Sequence, residues 1–166
     1  MLSINKVRQP VTVLAITGSQ NDYVYLEKIF SHTNWRLLHS YNLSEAVPAI
    51  SQCQVILSDA HLPDGNWENV LEHASRELVA PQVIVIAGVA DVALWTEVLD
   101  RESAFNVVAR PFNFKEVTTL ISSAWRYGQK QRERMNEAML AADLETLSKR
   151  IGVHSETGLI MKAKSA

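Results

Sequence analysis

Five short apolar runs, separated by stretches of helical spacing, constrain this chain more than any other feature. VTVLAI (11–16), WRLLHS (35–40), QVILSD (54–59), QVIVIAG (82–88) and FNVVA (105–109) are strand-like in length and β-branched content. In YVYLEKIF (23–30), Val24, Leu26, Ile29 and Phe30 recur at helical spacing. Ser44 is placed to cap a short helix through Ala46, Ala49 and Ile50, with Glu45 in its first turn. A third helix is expected from about Trp67 to Leu78, and DVALWTEVLD (91–100) reads as a fourth. Asn113 or Phe114 opens a long fifth helix, while HLPDGN (61–66) has the composition of a turn. Strands alternating with helices specify an α/β fold whose parallel sheet is covered on both faces. Right-handed crossovers then favour a doubly wound, five-stranded parallel sheet. The unbroken apolar character of strands one, three, four and five predicts central positions for them, with WRLLHS nearer an edge.

The 166 residues suffice for one well-buried domain and an appendage. A formal net charge of −2 gives no reason to expect nucleic-acid binding. That charge is uneven. Residues 1–128 carry 9 basic and 13 acidic side chains, whereas residues 129–166 carry 7 and 5. The boundary this marks near Gly128 gives an N-terminal extension (1–10), a domain (11–128) and a helical extension or linker (129–166). A single cysteine, Cys53, excludes an internal disulfide and fits a reducing compartment. Its neighbours Gln52 and Gln54 suggest a structural thiol rather than a catalytic one. MLSINKVRQP lacks the apolar core of a signal peptide, and no run is long enough to cross a bilayer. The expectation is a cytoplasmic protein without membrane contact.

Ligands of doubly wound sheets bind beyond the carboxyl ends of the strands. The residues to weigh are therefore Thr17 to Ser19, Asp59 to Asp64, Ala87 to Val89, and Arg110 to Phe112. LAITGSQND (14–22) is a strand feeding a loop of small polar residues. Such a loop is either a phosphate cradle or what remains of a metal loop.

VILSDAHLPDG (55–65) and VVARPF (107–112), in this order and at this spacing, resemble the receiver domains of two-component response regulators. The resemblance runs from about Val11 to Tyr127. It implies a flavodoxin-like or receiver-like sheet in which Asp59, ending strand three, is the phosphoacceptor. It also implies a loop at Leu62-Pro63-Asp64-Gly65 and a cis peptide before Pro111.

The remaining chemistry departs from that pattern. Thr17 and Gly18 stand where the family places the acidic pair that holds Mg²⁺. Ala87 replaces a hydroxyl residue, Arg110 replaces a lysine, and Val107 occupies the aromatic switch position. Mg²⁺ asks for near-octahedral oxygen ligands, commonly anchored by one or two carboxylates. Asp59 and the backbone carbonyl of His61 would hold it almost alone, with Asp22 and Asp64 approaching through water. Mg²⁺ is thus possible but weakened. Arg110 can grip a carboxylate through two nitrogens where lysine is a point charge. One expectation is that Arg110 pairs with Asp59 and fixes the domain in one state without phosphate. The others are that Arg110 faces solvent or does the lysine's work unchanged.

The expected function is that of an atypical receiver-like domain in phosphorelay signal transduction. Mg²⁺-dependent phosphorylation of Asp59 would be weak or absent, and the domain would act through protein contacts. The alternatives are a fully functional phosphoacceptor, or a binding module for a small phosphorylated ligand at the Thr17–Asp22 loop. No acid–base pair or nucleophile system points to an enzyme, beyond phosphorylation of Asp59 from a phosphodonor. The implied partners are a histidine kinase or a downstream regulator. A homodimer would use helices four and five, where Trp95 and Trp125 lie, or the C-terminal helix. There Leu140, Leu144, Leu147 and Ile151 form one apolar stripe ending near Gly152. His32, His39, His61, His73 and His154 lack metal-ligand spacing. The closing LIMKAKSA (159–166) faintly resembles the start of antiterminator helices attached to some receivers.

Overall fold

The computed structural model describes residues 10–100 and 104–152. Residues 1–9 of the N-terminal extension, His154 and the LIMKAKSA segment lie outside the described residues. Five strands form one parallel sheet: β1 (Thr12–Ile16), β2 (Arg36–Ser40), β3 (Val55–Asp59), β6 (Gln82–Gly88) and β7 (Asn106–Arg110), in the order β2-β1-β3-β6-β7. Between β3 and β6, β4 (His61–Leu62) and β5 (Gly65–Asn66) make a small antiparallel ribbon. The helices are α1 (Gln20–Phe30), α2 (Leu43–Ile50), α3 (Trp67–Ser75), α4 (Val92–Asp100) and α5 (Phe114–Arg150).

Alternation along the strands divides the core in two. Val13, Ala15, Val55, Leu57, Ile84, Ile86 and Val108 meet Leu26, Ile29 and Phe30 of α1 and Val117, Ile121 and Ala124 of α5. Leu14, Ile16, Ile56 and Val83 face Ala46 and Ile50 of α2 and Val70 and Ala74 of α3. Val85, Ala87 and Val107 pack with Trp67 and with Leu94 and Val98 of α4. Each fully buried aliphatic side chain stabilises the fold by about 1.5–3 kcal/mol relative to exposure. Such two-sided burial makes the strands read as unbroken apolar runs.

Four local expectations need correction. β7 is an edge strand, not a central one. Its apolar character comes from burial on both faces, Val108 against α5 and Val107 against α4. Ser44 does not cap α2. Asn42 does, accepting from the Glu45 amide at 2.8 Å from an extended backbone that a helical residue cannot adopt. The third helix stops at Ser75, short of Leu78, with Arg76 as its C-cap. The stretch expected to be a turn is the β4–β5 ribbon, closing into a capping box in which Asn66 and Asn69 each accept from the other's amide. A Cβ at Gly65 would stand 2.9 Å from both Asn69 Oδ1 and Leu43 Cδ2, so a side chain there would make the capping asparagine or Leu43 shift.

The chain divides into two compact units at Gly128. In the second, Gly152 at φ 70° follows the last turn of α5 and donates to the Lys149 carbonyl at 3.4 Å. Among the described residues, no helix is long and apolar enough to cross a membrane.

Candidate functional site

Parallel pairing brings the carboxyl ends of β1, β3 and β7 to one edge of the sheet, and the site forms there. Asp59 is the last residue of β3, its side chain 13% exposed. Thr17 follows β1 and is fully buried. Arg110 ends β7, and the peptide bond joining it to Pro111 is cis.

Both carboxylate oxygens of Asp59 are engaged. The Thr17 hydroxyl donates to Oδ2 at 2.8 Å, and the Gly18 amide approaches the same oxygen at 3.3 Å. Arg110 Nη2 donates to Oδ1 in a short charge-assisted bond. The same guanidinium donates through Nε to Asp22 Oδ2 at 2.6 Å. One planar cation therefore bridges a carboxylate of β3 and a carboxylate of α1, which a lysine ammonium could not do with two fixed donors. Burial alone would lower the Arg110 pKa. Hydrogen bonds and charge from Asp22 and Asp59 more than reverse that, leaving it raised above its ordinary value.

The loop before α1 uses its own donors. Ser19 caps α1 by accepting from the Asp22 amide at 3.2 Å, and the Ser19 amide donates back to the Thr17 hydroxyl at 3.1 Å. With Gly18 turned to Asp59 and the Thr17 amide donating to the Ser40 carbonyl at 3.0 Å, four amides of the 17–22 segment already have acceptors. Beneath the loop, His39 Nε2 lies 3.0 Å from the Thr17 carbonyl oxygen. A carbonyl only accepts, so that nitrogen carries the proton. The His39 ring stacks on Tyr23 at 4.0 Å and tilts against Tyr41 at 4.4 Å.

The residues present do not fit Mg²⁺. Asp59 has no oxygen without a donor, one oxygen of Asp22 is bound to Arg110, and Thr17 and Gly18 supply no carboxylate. Asp64 is not a water-mediated approach to this site. It caps α2 instead, accepting from the amides of Leu43 at 2.8 Å and Ser44 at 2.9 Å. Those two bonds hold its carboxyl below the usual carboxylate range. His61 is exposed on the β4–β5 ribbon, paired in register with Asn66. No group of three or more His, Cys, Asp or Glu side chains among the described residues is arranged to hold a metal.

This fold has counterparts among solved structures. The signal receiver domain of an HD domain-containing protein from Pseudomonas fluorescens Pf-5 superposes with a TM-score of 0.70 at 17% identity, over 80% of this chain and 99% of that one. A response-regulator receiver domain protein from Clostridium thermocellum gives 0.64 at 14% identity, over 73% and 98%. A CheY-like receiver domain protein from Methanospirillum hungatei JF-1 gives 0.63 at 17% identity, over 74% and 99%. The chain has the receiver-domain fold. No protein-family model matches its sequence, and no curated protein matches it either.

Within the receiver fold, Ala87 and Val107 belong to one buried cluster beneath α4, Val107 in register with Val85 and Ala87 with Ala109, and both are almost fully buried. Neither reaches Asp59 by a hydrogen bond, having no polar side chain. Trp95 is half-buried, its indole donating to the Gly88 carbonyl at 3.2 Å. It borders a hollow of about 530 Å³ on the α4–β7–α5 face, with Asn106, Val107, Lys115, Thr119 and Leu120. Trp125 is half-buried against the core on α5, and borders a separate cleft with Trp35 and Arg126. Leu140, Leu144 and Leu147 are exposed.

Two members of the site were not singled out from sequence as they stand. From sequence, Asp22 enters as a water-mediated approach to a metal and as the end of the Thr17–Asp22 loop, and His39 as one histidine without metal-ligand spacing. Their signal was positional: Asp22 opens α1 at the same sheet end as Arg110, and His39 precedes the end of β2 beside β1.

Proposed function

We propose that this chain is a receiver-like module of phosphorelay signal transduction whose pocket is held in one state by Arg110 instead of by Mg²⁺ and phosphate. The observation that carries the reading is the engagement of both Asp59 carboxylate oxygens, Oδ1 by Arg110 and Oδ2 by Thr17 and Gly18. Phosphoryl transfer to a carboxylate needs a free oxygen as nucleophile and a cation to offset charge between two anions. Here the cation is a guanidinium tied to two carboxylates, and the nucleophile is already hydrogen-bonded. Ala87 and Val107 supply neither a hydroxyl to follow a phosphoryl group nor a ring to swing. Output therefore rests on protein contacts, with the α4–β7–α5 hollow at Trp95 as the contact face. A histidine kinase or downstream regulator is the class of partner such a face serves in a receiver.

Isothermal titration of the full chain with Mg²⁺ tests the pocket. The expected result is no saturable heat at millimolar metal, while one-site binding lost in Asp59→Asn would refute the reading. The alternative, a fully functional phosphoacceptor, predicts the latter.

A further inference from the structure

The second unit poses a question independent of the pocket. Its helical residues 129–150 present Leu140, Leu144 and Leu147, with Ile151 just beyond, all more than half exposed. Their spacing of four, three and four is that of alternating core positions in a coiled coil, spanning about 17 Å of helix. Glu145 and Lys149, ion-paired at 3.2 Å, fall on the outer face of that pattern.

The charges flanking the stripe choose an occupant and its direction. Asp143 and Arg150 both precede core positions, Leu144 and Ile151, so they lie along the same side of the seam. Both are exposed, and neither has an ion-pair partner among the described residues. In a parallel pair Asp143 would face Ser148 of the second helix, with no charge to meet. Glu133 and Glu137, which continue the stripe towards the N-terminus, would then face their own copies. An antiparallel pair with its two-fold axis between Leu144 and Leu147 removes both faults. Leu140 packs against Ile151 of the second helix and Leu144 against Leu147, so all four layers are apolar. Asp143 meets Arg150 of the second helix twice, by symmetry, and both glutamates fall past the end of the opposing helix at Gly152.

We infer that the Leu140–Ile151 seam docks a second copy of this chain, as a short antiparallel coiled coil clamped by two Asp143–Arg150 pairs. Sedimentation equilibrium of the full chain through the micromolar range tests it. The wild type should reach twice its 18.6 kDa mass, and Leu144→Glu should remain a monomer. Asp143→Arg and Arg150→Asp should each weaken dimerisation about tenfold or more, since each places like charges in contact. The double variant Asp143→Arg/Arg150→Asp should return to within about threefold of wild type, because both pairs are restored with reversed sign. A monomer throughout, or a dimer indifferent to Leu144→Glu, would overturn the interface. Failure of the double variant to recover would overturn the antiparallel arrangement.

Discussion

Arg110 reaches Asp59 across the end of β6, joining the last strand of the sheet to the middle one over 51 residues of sequence. The guanidinium simultaneously holds Asp22 on α1, so a single side chain ties β7, β3 and α1 together at the carboxyl end of the sheet. A pair of carboxylates brought to one place repel each other unless a cation lies between them. In this molecule the cation is covalently part of the fold.

Removing it should expose that repulsion. Arg110→Ala is expected to cost about 1–3 kcal/mol, below the full penalty for breaking a buried ion pair because the guanidinium is partly solvated. With Asp22 and Asp59 freed, Mg²⁺ should raise the melting temperature of the variant and leave the wild type unchanged. A thermal-shift series in millimolar Mg²⁺ reads both effects. Equal shifts in the two proteins would count against the bridging role.

Thr17 is the second support of Asp59. Thr17→Val keeps the side-chain shape but removes the donor to Asp59 and the acceptor of the Ser19 amide. A cost of about 1–3 kcal/mol follows from leaving buried groups unpartnered, measured as a shift in the urea midpoint. Thr17→Ser should recover most of it. If Thr17→Val matches wild type, the hydroxyl does not position the carboxylate.

Much of this was legible in the sequence, and the exceptions have physical causes. The strands were readable because burial on both faces leaves continuous Val, Ile and Leu. The same property misplaced β7, since an edge strand roofed by α4 and α5 looks like a central one. The α2 cap was missed because Asn42 and Ser44 are both good capping residues. Only the extended backbone at Asn42 decides between them. Asp59 and Arg110 were visible from their places at strand ends. The pairing of Asp22 with Arg110 was not, because the neighbours of Asp22 in sequence belong to α1 while its partner lies 88 residues away.

Asp64 makes acid stability depend on a loop the pocket does not use. Its folded pKa is depressed by the Leu43 and Ser44 amides, so its contribution is present above the unfolded carboxyl pKa and is lost as pH falls through the folded one. The gap in melting temperature between wild type and Asp64→Asn should be full at neutral pH and should close in acid, only below the ordinary carboxylate range. A gap that stayed constant with pH would show that the charge of Asp64 is not what α2 responds to.

Cys53 should be chemically silent in the folded state. Burial pushes its thiol up to about 12, and its Sγ donates to the Ile50 carbonyl at 3.3 Å. Since the thiolate is the reactive form, an alkylating reagent at neutral pH should label the native chain far more slowly than the chain in denaturant. Comparable rates would place the thiol at the surface.

The occupied carboxylate is tested most directly by intact mass after incubation with a small phosphodonor and Mg²⁺, with Asp59→Asn alongside. We expect no added phosphoryl group on the wild type under conditions that fully modify a receiver with an intact acidic pair. A stoichiometric phosphoryl adduct, absent from Asp59→Asn, would contradict a pocket held by Arg110 and show instead that the guanidinium yields to the donor.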